Sequence, residues 1–133
     1  MSQHIVAVYG SLREKMDNHH YIADGKRIAL GWLTGYKMFN FGDYPGIVPT
    51  HDDSGRVRIE WYKVSDETLA SLDNLEEYDP STPQTSLYLR KPIFSPYGRG
   101  WIYVYNQPLE QSSYMEAGDW ERFRRETKLS QEV

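Results

Sequence analysis

The sequence contains no cysteine. Disulfides, thiolate metal sites and a cysteine nucleophile are therefore excluded, and nothing demands an oxidising compartment. Long apolar runs are missing as well. No window approaches the ~20 apolar residues of a membrane span. The opening MSQHIVAVYG lacks the basic region and apolar stretch of a signal peptide. A cytoplasmic soluble protein with no membrane partner is the expectation. Nor is there a basic excess. The formal net charge is −4, whereas a nucleic-acid binder usually carries a basic stripe. The one dense basic run, RFRRETK from Arg122 to Lys128, is interleaved with Glu121 and Glu126. It reads as a solvated helix face, so no nucleic-acid partner is expected.

What is present fits one domain. A chain of 133 residues hides roughly two-thirds of its unfolded surface on folding, enough for a real core. Residues 1–118 form the expected domain, and 119–133 a C-terminal helix and tail packed on it. Aromatics make up 14% of the chain, with eleven tyrosines. Tyrosines can wall a polar pocket with hydroxyls or simply pack on a core.

His4 to Tyr9 reads as a short buried strand that stops abruptly at Tyr9-Gly10-Ser11. Gly10 to Asp17 is loop, and Asn18 can start a short helix or turn through Asp24, ended by Gly25. RIALGWL, YKMFNFG and GIVP are strand candidates, with Asp43-Tyr44-Pro45-Gly46 as a break. HDDSG is a turn before RVRIEWYKV, which alternates as a strand. Ser65 or Asp66 caps a helix to about Glu77. SLYLRKPIF and GWIYVYN flank the hairpin turn SPYGR. QPLEQSSYMEAG reads as irregular, and Asp119 caps a last helix from Trp120 to about Leu129. The pattern predicts an α+β fold: a mostly antiparallel curled sheet or barrel with a central helix packed across it.

That helix, SDETLASLDNLEEYDP, carries an anomaly. Leu69, Leu72 and Leu75 define its buried stripe. At about 100° per residue, Glu76 lies only about 40° from the centre of that stripe and Glu77 about 140° away. Glu77 faces solvent. Glu76 is a carboxylate on the core side, and such a charge is usually paired or functional. Bending out to water, or meeting Arg90 or Lys91, is the ordinary alternative.

YGSLR near the start and LDNLEEYDP after a helix together resemble the γ-glutamylcyclotransferase-like superfamily. YPGIVP, YLRKPI, WIYVYN and the closing Gly118-Asp119-Trp120 are similar to its small bacterial branch. The likeness runs from Val6 to Trp120. It implies the γ-glutamylcyclotransferase-like fold and an activity, the closure of a γ-glutamyl amine or amino acid to 5-oxoproline with release of the amine. It also implies that Glu76 is the catalytic base, that no metal or cofactor is used, and that the partner is a small γ-glutamyl substrate. One departure is Glu77, where the family usually has a glycine suited to a left-handed helix end. Partial burial and the helix-end carbonyls would both raise the pKa of Glu76.

On this reading Tyr9, Gly10, Ser11 and Leu12 bind substrate. Gly10 allows close backbone approach. The N–H groups around Gly10, Ser11 and Leu12 can hold the substrate α-carboxylate or a developing oxyanion. Ser11 adds a hydrogen bond or only bonds its own turn. Tyr44, Tyr88, Tyr103 and Tyr105 are candidate pocket walls. Tyr103, Tyr105 and Trp101 share one strand face. Arg13 reads as a surface arginine, although it could offset a substrate carboxylate. His19, His20 and His51 read as solvated, and Asp43, Asp52, Asp53 and Asp79 as turn residues. Trp120 anchors the last helix. A non-catalytic small-molecule-binding domain of the same fold, or an interaction module using the basic C-terminal helix, are the alternatives. No feature sets an oligomeric state.

Overall fold

Runs rich in β-branched and aromatic residues, punctuated by glycine and proline, become strands here. The computed structural model describes residues 3–132 apart from 15, 17, 23, 53, 110 and 111, with side chains as far as Glu126 in the last helix. The loop end at Asp17, the turn reading of Asp53 and the Lys128 side chain lie outside the described residues. In chain order the elements are β1 (Gln3–Val8), β2 (Lys26–Thr34), β3 (Tyr36–Asn40), β4 (Pro45–Pro49), β5 (Arg56–Ser65), α1 (Asp66–Leu75), β6 (Tyr88–Ser95), β7 (Gly98–Tyr105), β8 (Ser113–Met115) and α2 (Trp120–Glu132). Short 3-10 turns occupy His19–Tyr21 and Pro83–Thr85.

A five-stranded sheet has the order β2-β5-β1-β7-β6, and a three-stranded sheet the order β4-β3-β8. Every pairing is antiparallel except β1 with β7. The α+β expectation therefore holds, but the curled sheet does not close into a barrel. β2 and β6 end the larger sheet. A bulge between Arg27 and Ala29 and Pro92 within β6 are features that blunt edge strands against further pairing.

Side chains of β1 alternate between two cores, and both faces are covered, so its sequence reads as continuously apolar. Val6 and Val8 meet Tyr62, Val64, Leu69 and Leu72 under α1. Ala7 meets Ile59, Trp61 and Ile102, with Met38 and Ile47 of the smaller sheet and Trp120 of α2.

The site is assembled by chain direction. Ser65 ends β5 opposite Gln3 at the start of β1. Its side chain accepts the Thr68 N–H at 3.2 Å, and Asp66 and Glu67 occupy the first turn of α1. Such a cap contributes about 1 kcal/mol, and the two acids suit the helix dipole. The ten residues of α1 rise about 15 Å. The helix thus returns towards the far end of β1, where Glu76 meets Tyr9.

The Gly-Asp-Trp sequence divides its labour. Gly118 has φ +65, and a Cβ there would lie 2.0 Å from the Arg56 carbonyl oxygen. Its own carbonyl accepts the Arg58 N–H at 2.7 Å. Asp119 caps α2 by accepting the Arg122 N–H at 3.1 Å. Trp120 is buried in the second core. The segment read as irregular contains β8, which pairs with β3 through three residues.

Candidate active site

Parallel pairing brings the C-terminal ends of β1 and β7 side by side. The buried Tyr9 hydroxyl donates to the Tyr103 carbonyl at 2.7 Å. The chain then turns: the Arg13 N–H donates to the Gly10 carbonyl at 3.1 Å and the Asn18 N–H to the Ser11 carbonyl at 2.8 Å. The Ser11 hydroxyl oxygen accepts from the Asn18 side-chain amide at 2.8 Å. It bonds neither its own backbone nor open solvent alone. Among the described residues the N–H groups of Gly10, Ser11 and Leu12 meet no acceptor. Consecutive free N–H groups form an anion-binding concavity.

Gly10 is needed here for a different reason from backbone twist. Its φ is not in the left-handed region, but a Cβ would lie 2.8 Å from Pro45 Cγ. Pro45 and Tyr44 cross over the loop from the start of β4. Together with Glu76, Tyr88 and Tyr103 they close a pocket of about 50 Å³ over Tyr9–Leu12, with Ala7 and Val8 as its floor.

Glu76 is the first residue beyond α1, and its N–H still donates to the Leu72 carbonyl at 2.9 Å. Its side chain lines the pocket and the residue is half-buried. Burial pushes its carboxyl up from 4.5 to about 7. Among the described residues no hydrogen bond or ion pair reaches that carboxylate. Arg90, an expected partner, instead donates to Asp73 at 2.9 Å, and Lys91 is exposed. Glu77 is exposed, as its helix phase requires. It takes φ 53 itself. The Tyr78 N–H donates to the Asp73 carbonyl at 2.9 Å and the Glu77 N–H to Asn74 at 3.2 Å. This is the Schellman ending, formed without the family glycine.

The tyrosine walls are neutral hydroxyls. Burial, then the neighbouring charges or hydroxyls, pushes Tyr9, Tyr88 and Tyr103 above the ordinary tyrosine range. Tyr88 donates to the Pro45 carbonyl at 2.5 Å and Tyr103 to Asp73 at 2.7 Å. Tyr44 stands at the rim, 38% exposed. Tyr105 does not line the pocket; it packs edge-on against Tyr88, with ring centroids 5.4 Å apart. Tyr103, Trp101 and Tyr105 share the α1 side of the sheet, as strand alternation predicts.

Two polar residues behind the pocket were not legible as such. Asp73 receives both Tyr103 and Arg90. Its signal was its place three residues before Glu76, on the same helix face. Arg13 is the larger correction. It is 3% exposed, not a surface residue. Its guanidinium donates to Glu60 at 2.9 Å, Asp119 at 2.9 Å and Glu121 at 3.2 Å. Burial alone would lower its pKa, but the bonds to Glu60 and Asp119 hold it above the ordinary value. Among the histidines, His20 and His51 are exposed as expected, whereas His19 is half-buried, with ring Nδ1 3.1 Å from the Leu12 carbonyl. Among the described residues no three His, Asp or Glu side chains gather as a metal site, and no helix is long and apolar enough to cross a membrane.

This geometry has relatives. The family described as "Gamma-glutamyl cyclotransferase, AIG2-like" matches residues 6–122. The gamma-glutamylcyclotransferase family protein YtfP of Escherichia coli (strain K12) is 36% identical over 115 residues, 86% of this chain and 94% of that one. Gamma-L-glutamyl-butirosin B gamma-glutamyl cyclotransferase of Niallia circulans is 32% identical over 124 residues, 88% of this chain and 75% of that one. The solution structure of the Escherichia coli protein superposes with a TM-score of 0.69 at 35% identity, covering 87% of this chain and 95% of that one. A crystal structure from Pyrococcus horikoshii shares the fold, with a TM-score of 0.75 at 21% identity, covering 94% of this chain and 96% of that one. The chain belongs to the gamma-glutamyl cyclotransferase, AIG2-like family.

Proposed function

We propose that the protein cyclises a γ-glutamyl amine or γ-glutamyl amino acid, releasing 5-oxoproline and the amine. The observation that carries this reading is a carboxyl raised by burial, without a partner among the described residues, in one pocket with Gly10, Ser11 and Leu12, whose N–H groups are free. The Niallia circulans relative is named as a γ-glutamyl cyclotransferase of γ-L-glutamyl-butirosin B, which supports a γ-glutamyl substrate here.

The substrate's α-carboxylate is held by the N–H groups of Gly10, Ser11 and Leu12, with the Ser11 hydroxyl beside them. That anchorage folds the γ-glutamyl arm back on itself, and the tethered amine needs only orientation. Glu76 takes a proton from the α-ammonium. The freed nitrogen attacks the γ-carbonyl carbon and closes the five-membered lactam. The amide C–N bond then breaks as Glu76 returns that proton to the departing nitrogen, and the second proton shed by the ring nitrogen on lactam formation passes through the same carboxylate to the amine, which leaves as its ammonium. No water, oxidant or cofactor is consumed in this sequence. A carboxyl near neutrality serves both steps, because it accepts and donates with little cost either way. The neutral tyrosine walls exclude water without adding charge. The test is 5-oxoproline release measured across γ-glutamyl amines and amino acids. At least one should turn over, and a panel in which none does would overturn the reading.

A further inference from the structure

Arg13 does not itself line the pocket, yet it is the best-connected buried ion among the described residues. Its N–H closes the turn onto the Gly10 carbonyl at 3.1 Å. Its side chain reaches Glu60 of β5, and Asp119 and Glu121 at the start of α2. Glu60 is 1% exposed and also accepts the Glu14 N–H at 2.9 Å and the Tyr62 hydroxyl at 3.1 Å. The planar guanidinium fork fixes all three carboxylates in one geometry, which a lysine cannot do from a single ammonium. The loop carrying the free N–H groups is therefore bolted on one side to the sheet and on the other to the C-terminal helix.

We propose that Arg13 is a positioning residue, and that through Asp119 the N-terminus of α2 sets the geometry of the Gly10–Leu12 substrate loop. The C-terminal helix thereby governs substrate affinity without touching substrate. This rests on the loop role given above.

Asp119→Asn tests it with least damage, since asparagine caps a helix as well as aspartate while losing its charge towards Arg13. KM should rise about five- to tenfold with kcat within about twofold, as expected when only binding is weakened. The acid limb of the pH profile should not move. Arg13→Lys should do the same more strongly, and the double variant should be no worse than Arg13→Lys, because the two changes cut one link. Amide hydrogen exchange gives a readout that needs no substrate. The N–H groups of Arg13 and Asn18, bonded to the Gly10 and Ser11 carbonyls, should exchange faster in Asp119→Asn. Faster exchange supports the proposal even if the wild type turns over nothing, which would defeat the cyclotransferase reading alone. A folded Asp119→Asn protein with wild-type exchange at both amides overturns the proposal, as does a wild-type KM or an additive double variant.

Discussion

At position 76 the folded protein holds a proton that the unfolded chain releases more readily. The folded carboxyl titrates near 7 and an ordinary glutamate near 4.5, with burial as the cause. Below the lower value both states are protonated and nothing is lost. As pH rises from about 4.5 to about 7 the folded state binds more protons than the unfolded one. Stability therefore falls through that window and stays lower beyond it. At about 1.4 kcal/mol per pH unit the full loss is roughly 3 kcal/mol. Glutamine cannot ionise, so Glu76→Gln should be more stable than wild type at pH 8, by up to that amount, with the advantage vanishing near pH 4.5. Urea denaturation across this range checks it, and equal stability at pH 8 would mean a solvated carboxyl. The same ionisation shapes the rate. A base must be unprotonated to act, so kcat/KM should rise with pH to a plateau above about 7; a profile already flat from pH 5 would argue against Glu76 as the base. Glu76 was legible because its evidence is local: three leucines fix the phase of one helix. Arg13 was not, because its partners lie 47 and 106 residues away. No spacing rule joins such positions.

The elements that carry the site are held by their ends. The exit of α1 is a left-handed residue, and a side chain there costs about 1–2 kcal/mol relative to glycine. Part of that gain is offset by the greater freedom of glycine in the unfolded chain. Glu77→Gly should therefore stabilise the protein by roughly 0.5–1 kcal/mol in urea titrations while leaving turnover intact, since the side chain points away from the pocket. A drop in activity would mean that the exposed carboxylate takes part. The β1 exit is held differently, by Pro45 pressed against Gly10. Gly10→Val should displace either the proline or the loop. Titration calorimetry should then find binding of 5-oxoproline or a γ-glutamyl analogue lost in a protein whose circular dichroism is unchanged. Unchanged affinity would reduce the loop to a turn. Strands with long alternating runs were readable within a residue or two, and so was the Asp119 cap. β8 was not, because three residues are too few for a period and its pairing is imposed by β3 from outside.

At the scale of the whole molecule the site exists because chain direction is right. β1 and β7 run parallel, so their C-terminal ends meet. β5 runs back, and α1 returns beside β1 to place Glu76 over the loop. Composition and element order gave the α+β class, but strand order and the open, two-sheet arrangement depend on pairings between residues far apart in sequence. The family likeness pointed to Tyr9–Leu12 and to Glu76, which the fold brings to one pocket. It did not distinguish Tyr105, which stands behind the wall, from Tyr88, which forms it. The central claim is that this pocket closes a γ-glutamyl arm into a lactam with Glu76 moving the proton. Its most direct test is 5-oxoproline release by wild type and Glu76→Gln on the best γ-glutamyl substrate, with folding of both verified by circular dichroism. Wild type should release 5-oxoproline and amine in equal amounts, and the variant should be slower by about 10²–10⁴-fold, as when a general acid–base is removed. A folded Glu76→Gln protein that releases 5-oxoproline at near the wild-type rate would contradict the account.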